Sequence, residues 1–214
     1  MITKTIKSAV AQLLRDDIIR GTFRPGERLR LETLTERYGV SMTPIREAMT
    51  TLQSEGIVTI LPHKGAQVTE FSPREIRELF EMRATLERLA TLRAVPFVKK
   101  RDVQALQKLV DQMNELHRHF DMVEYSRLNL SFHLSLYGLS GYHHLQKTIE
   151  AESYRVMHYM HTFTDVMPFM KDQDVDHQTI LNLAARHQAE EAADKVHQHV
   201  LVKGMAIANQ LANP

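Results

Sequence analysis

The chain has 214 residues, a formal net charge of +1, 43% hydrophobic residues and no cysteine. That length can bury the core of one large domain or two small ones, and the absence of thiols excludes disulfides and thiolate-held metal. Lys7 and Arg15-Asp16-Asp17 interrupt the first twenty residues, MITKTIKSAVAQLLRDDIIR, so these lack the apolar core of a signal peptide. No run approaches the ~18–20 apolar residues of a membrane span, and a soluble, cytoplasmic protein without a membrane partner is expected.

Charge and histidine divide unevenly. Residues 1–70 hold 10 Lys and Arg against 8 Asp and Glu, residues 71–214 hold 17 against 18, and 11 of the 12 histidines lie beyond residue 71. Two parts with different work are indicated. In the first, Ile6, Val10, Leu13, Leu14 and Ile18 recur at helical intervals and predict an amphipathic helix ending at Gly21. Pro25-Gly26 marks a turn, LETLTERY a short helix stopped at Gly39, and SMTPIREAMTTLQSE a third helix closed by Gly56. IVTILPHKGAQVTEF gives two β-branched runs around Pro62-His63-Lys64-Gly65, a hairpin. Helix, helix, turn, helix and hairpin within 1–70 is the order of a winged helix-turn-helix.

From 71 onward the texture is helical throughout. SPREIRELFEMRATLERLATLRAV opens with Ser72 as N-cap, Pro73 at the first helical position and Glu75 closing a capping box. Further helical patterns run over 100–119, 121–140, 142–163, 171–186 and 188–211, with breaks near Asp121, Gly141, Pro168 and His187. The expected fold is mainly α: a winged helix-turn-helix over 1–70 and an all-α antiparallel six-helix bundle over 71–214.

The third helix is shaped for presentation. Ser41 is a suitable N-cap, and Pro44 falls in the first turn, where its missing N–H costs nothing. Met42, Thr43 and Arg46 then project from the helix tip, while Ile45, Met49 and Leu52 fall on another face. A recognition helix enters the major groove by that end, and a guanidinium one turn in can fork onto guanine O6 and N7. The alternative is a cap and a solvated charge. The stretch FRPGERLRLETLTERYGVSMTPIREAMTTLQSEGIVTILPHKGAQV closely resembles the GntR family of bacterial transcription regulators. Their pattern is a Pro-Gly turn, a short helix, Gly-Val-Ser-x-Thr-Pro-x-Arg-Glu-Ala, then Glu-Gly and a Gly-tipped wing. The resemblance implies that Arg46 reads a base, that Ser41 and Thr43 bind phosphates, and that the tip His63-Lys64-Gly65 reaches the minor groove or backbone. Met42 stands where the family commonly has a second arginine; it can touch a thymine methyl but donates no hydrogen bond.

The histidines of the second part sort by spacing. Asn129 and His133 share a helix face, and His177 and His199 lie 10 and 12 residues on either side of the turn near His187. An antiparallel hairpin sets those two at similar height, so all four positions are able to converge. Three imidazoles and an oxygen donor suit zinc, nickel or a similar divalent ion; the alternative is hydrogen-bonded or exposed histidines. ELFEMRATLERLA, NLSFHLSLYGLSGYHHL and DHQTILNLAARHQAEEAADKVHQHV resemble the FCD ligand-sensing domain of the FadR-like branch, in its six-helix, VanR-like form. That domain's metal set is Asp-x-x-x-His, then His, then His. Asn129 replaces the aspartate, so the site loses a charge and holds its ion more weakly; alternatively Asn129 bonds an effector directly. Arg83 matches the arginine that such domains turn into the cavity to bind a carboxylate, against the alternative of an ion pair with Glu87. Arg155 is a second candidate of the same kind. His117, His119, His143, His144, His158, His161 and His197 read as solvated or packing residues, with cavity lining the alternative for His158 or His161.

The expected protein is a homodimeric DNA-binding transcription regulator, a repressor in the commoner case, on a near-palindromic double-stranded operator. A small carboxylate bound beside the metal would control it. The alternatives are a metal-dependent hydrolase on a His-rich bundle, which lacks a general base beside the site, and a regulator whose second part only dimerises.

Overall fold

The computed structural model describes residues 6–61, 65–116, 121–157, 159 and 167–213, with the backbone alone described for 122 and 167–175. Two compact units emerge. One holds the described residues up to Phe71 together with 154–157 and Tyr159; the other holds those from Ser72 to Ser153 and from 167 onward.

The first unit contains α1 (Ile6–Ile19), β1 (Arg28–Leu29), α2 (Leu31–Tyr38), α3 (Met42–Ser54), β2 (Val58–Leu61) and β3 (Gly65–Val68). The three strands form one antiparallel sheet in the order β1-β3-β2, with Thr59 opposite Gln67 and Arg28 on the far side of the same residue. Val10, Leu14 and Ile18 of α1 pack with Leu34 of α2, Ile45 and Leu52 of α3 and Val68 of β3 in one core. The helical stripe of α1 is narrower than its sequence suggests. Leu13 is 50% and Ile6 66% exposed, because Leu13 sits ~100° around the helix from Leu14 and Ile6 opens the first turn. β1 was not foreseen. Two residues carry no readable alternation, yet their pairing with β3 completes the sheet.

A half-hidden polar contact fixes α2 on α1. Asp17 Oδ2 accepts from Arg37 Nε at 2.6 Å and from the Tyr38 hydroxyl at 2.8 Å. Burial raises the Asp17 pKa, but the hydrogen bonds from Arg37 and Tyr38 outweigh it and hold the carboxyl below its ordinary value. Gly39 then ends α2 with φ +65° and donates its N–H to Thr35 O, a left-handed cap that a side chain would strain.

Six further α-helices follow among the described residues: α4 (Pro73–Ala94), α5 (Lys100–Glu115), α6 (Met122–Gly138), α7 (His143–Met157), α8 (Met167–Ala185) and α9 (Ala189–Ala212); all lie in the second unit except residues 154–157 of α7, which belong to the first. α4 begins with the foreseen capping box: the Glu75 N–H donates to Ser72 Oγ, and the Ser72 N–H donates to Glu75. α8 starts earlier than predicted, and Pro168 lies inside its first turn rather than ahead of it, a position that does not need the N–H proline lacks. α4 packs along α9, α8 lies on α9, and α5 contacts both α6 and α8. Gly204 of α9 makes the α4 contact close: a Cβ there would fall 2.2 Å from Cβ of Phe80. No described helix is long and apolar enough to cross a membrane.

Candidate nucleic-acid interface and candidate metal centre

The start of α3 is formed by a chain that leaves the β conformation at Ser41 (φ −69°, ψ 169°) and turns into the helix at Met42. Ser41 occupies the N-cap, but its hydroxyl makes no capping hydrogen bond, so the first-turn N–H groups face outward without an internal acceptor from that side chain. Ser41, Met42, Thr43 and Arg46 are all exposed, while Ile45, Ala48 and Leu52 are fully buried and Met49 nearly so. The helix is therefore anchored by one face and free along the other.

Arg46 borders an open groove of about 440 Å³ whose wall includes Arg28, Arg30, Thr50, Ile60 and Gly65. Arg28 and Arg30 are exposed on either side of buried Leu29, so β1 and the N-cap of α2 contribute two cations beside the one from α3. Spacing alone held this signal: Arg-Leu-Arg alternates with period two, which puts both guanidiniums on the face opposite the core. Gly65, at the start of β3, has φ +83°, and a Cβ built there would meet nothing within 4 Å. His63 and Lys64, the other predicted tip residues, lie outside the described residues.

The second unit brings the four predicted metal positions together. His133 of α6, His177 of α8 and His199 of α9 are buried, at 5%, 0% and 2% exposure, and their nearest ring nitrogens all lie within 4.8 Å of one another. Asn129, one turn before His133, places Oδ1 2.9 Å from His177 Nε2, which is also 3.3 Å from His133 Nε2. Phe132 closes one side, edge-on to the rings of His133 and His177. Burial, and next the charges of His199, Lys203 and Arg83, push the His133 pKa well below its ordinary value. Burial also lowers His199, more than Asp176 raises it. Both rings are thus biased to the neutral form that ligates metal. Three imidazole nitrogens and a neutral carbonyl oxygen fit a borderline divalent ion such as zinc or nickel.

A second rank of residues supports this cluster, and sequence reasoning did not find it. The Tyr137 hydroxyl lies 3.0 Å from His133 Nδ1 and donates to Glu87 Oε2 at 2.6 Å. Asp176 Oδ2 lies 3.2 Å from His199 Nδ1, and its other oxygen is held by Lys195. Arg83 donates from Nε and Nη2 to Glu87 Oε1 at 3.1 and 2.8 Å, the ion pair that stood as the alternative to its cavity role. Arg155 belongs to the first unit, where its guanidinium lies 5.5 Å from the centre of the Phe71 ring. His143 and His144 are exposed, and His187 Nδ1 lies 3.2 Å from the Val95 carbonyl. His117, His119, His158 and His161 lie outside the described residues.

The family model described as bacterial regulatory proteins, gntR family, matches residues 6–68, and the FCD domain model matches residues 78–201. The chain is 29% identical over 197 residues to the HTH-type transcriptional repressor GlaR of Escherichia coli K12, covering 88% of this chain and 89% of that one. It is 26% identical over 203 residues to the HTH-type transcriptional regulator McbR of the same organism, covering 94% and 91%. The solved structure of E. coli McbR/YncC superimposes with a TM-score of 0.82 at 24% identity over 98% of this chain and 99% of that one. A transcriptional regulator GntR from Rhodococcus sp. RHA1, given as a possible one, does so at 0.80 and 22%, over 95% and 97%. These two likenesses establish the fold.

Proposed function

The chain belongs to the GntR family of bacterial regulatory proteins and carries an FCD domain, and from that premise we propose that it is a homodimeric repressor released from its operator by a small carboxylate. It is a transcriptional regulator, as are the families and relatives it matches, none of which is an enzyme. In this reading residues 1–70 bind double-stranded DNA and residues 71–214 sense the effector and dimerise. The work is done in the cytoplasm, where the operator lies.

The observation that carries the DNA reading is the division of α3 between a buried face and an exposed first turn bearing Arg46. Arg46 forks onto a guanine edge, Ser41 and Thr43 meet phosphates at the helix tip, and Met42 offers a thymine methyl only an apolar contact. In this reading Gly65, at the start of β3, and the preceding His63 and Lys64 of the sequence would meet the minor groove or backbone. Arg28 and Arg30 border the same groove and supply further charge to the backbone. One head reads too few base pairs to select a site in a genome, so two heads on a near-palindrome are required.

Asn129, His133, His177 and His199 would hold the cation. A divalent ion there supplies a positive, Lewis-acidic anchor for a carboxylate in a site whose own residues are neutral. The relative named a repressor supports repression as the sign of control. The effector acts only in so far as it binds one arrangement of the heads better than another.

Operator binding tests the reading. With DNA from upstream of the gene, the wild type should protect a near-palindromic site, and Arg46→Ala should lose roughly tenfold or more in affinity, about 1–3 kcal/mol per guanine contact. It should lose no thermal stability. An unchanged footprint for that variant would remove Arg46 from the interface.

A further inference from the structure

Resting on the metal reading above, we propose that Glu87 and Asp176 are the positioning residues of the histidine cluster. Glu87, through the Tyr137 hydroxyl, and Asp176, directly, hold His133 and His199 with Nδ1 protonated, so both bare Nε2 atoms serve the shared centre.

The direction of each hydrogen bond follows from its neighbours. Arg83 donates twice to Oε1 of Glu87, and a carboxylate paired with a guanidinium only accepts. The Tyr137 hydroxyl, 2.6 Å from Oε2, therefore spends its single proton on Glu87. The same hydroxyl oxygen is 3.0 Å from His133 Nδ1; with its proton committed it accepts, and Nδ1 carries the hydrogen. A neutral imidazole so protonated has a free lone pair on Nε2. Asp176 imposes the same tautomer on His199 from the other side of the site, since its Oδ2 is 3.2 Å from Nδ1 and its Oδ1 is held by Lys195.

His177 takes the opposite form. Its Nε2 faces the Asn129 carbonyl oxygen at 2.9 Å and the bare Nε2 of His133 at 3.3 Å. Both are acceptors, so His177 Nε2 is the donor between them. In the metal-free site two rings present bare Nε2 atoms, and His177 donates its own N–H to Asn129 and His133, a proton that must leave Nε2 before that nitrogen can join the ligand set. Arg83 and Lys195 neutralise the two carboxylates, so these contribute orientation rather than net charge. Arg83 accordingly buttresses Glu87.

Ring tautomers are read directly from long-range ¹H–¹⁵N correlation spectra of the metal-free full chain. The wild type should show Nδ1–H at His133 and His199 and Nε2–H at His177. Tyr137→Phe, which keeps the ring and the Arg83–Glu87 pair, should free the tautomer of His133 and leave His199 unchanged. Asp176→Ala should do the reverse; its partly exposed side chain keeps the test alive if the tyrosine variant fails to fold. In competition with a chromophoric chelator, each variant should bind Zn²⁺ roughly 10–100-fold more weakly than wild type. Nε2–H at His133 or His199 in the wild type would overturn the proposal, as would both variants binding Zn²⁺ within about twofold of it. A wild type with the stated tautomers and no affinity for Zn²⁺ would defeat the metal reading and uphold the positioning.

Discussion

Asn129 differs from the aspartate of the FCD metal set by one charge, and its position shows what that charge would meet. Its Oδ1 lies 2.9 Å from His177 Nε2 and one helical turn from His133, so a carboxylate at 129 would sit beside the same rings with the same reach. Asn129→Asp should therefore tighten Zn²⁺ binding by roughly tenfold or more, measured against a chelator of known affinity. An equal or weaker affinity would show that residue 129 is not a ligand. The amide oxygen of Asn129 has its partner within the cluster, His177 Nε2. At the other functional surface Met42 is 44% exposed at the tip of α3, where an arginine would add a second base-reading fork. In the proposed reading, the exposed first turn of α3 offers one such fork, Arg46.

Elements are held in place by single contacts that their own sequences do not advertise. Gly204 lets α9 approach α4 until a Cβ would fall 2.2 Å from Cβ and Cγ of Phe80. Gly204→Ala gains up to about 1 kcal/mol of helix propensity but overpacks the contact, which costs typically about 1–3 kcal/mol or more when backbone must shift. The clash wins, and Tm should fall; a rise would mean that the helices part freely. In the first unit Asp17 joins α1 to α2. Its carboxyl is held below the ordinary value of 3.8, so its stabilising effect is present above that pH and is lost as pH falls through the lower folded value. Asp17→Asn should cost about 1–2 kcal/mol at neutral pH, discounted because Arg37 is 44% exposed. The gap to wild type should close as pH falls below 3.8 and through the lower folded value, followed by thermal unfolding across that range. Long periodic segments made the six helices and the Ser72 capping box readable from sequence, and the turn near His187 made the convergence of His177 and His199 readable as well. β1 was too short to read, and Glu87 and Tyr137 stand 50 residues apart on different helices, where no spacing rule connects them. Arg155 faced the same difficulty: its place beside Phe71 follows from tertiary packing, to which helical periodicity is blind.

If, as proposed, two heads bind one symmetric operator, a whole-molecule quantity, the salt dependence of binding, reports on single residues. Each phosphate neutralised by a cation releases counterions and adds about −0.9 to the slope of log K against log salt on duplex DNA. Arg30 is exposed at the N-cap of α2 and borders the groove beside Arg46, so its proposed role is a backbone contact that carries no sequence information. In a dimer, Arg30→Ala removes that contact twice. The slope should become shallower by about 1.8, the affinity for operator and random DNA should fall together, and the preference between them should stay. Arg46→Ala should instead erase the preference. Fluorescence anisotropy with both duplexes over a salt series separates the cases. A change of about 0.9 would mean that one head binds at a time, and an unchanged slope would take Arg30 off the DNA. The pair of variants thus tests the division of labour inside one head and the symmetry of the assembly in a single measurement.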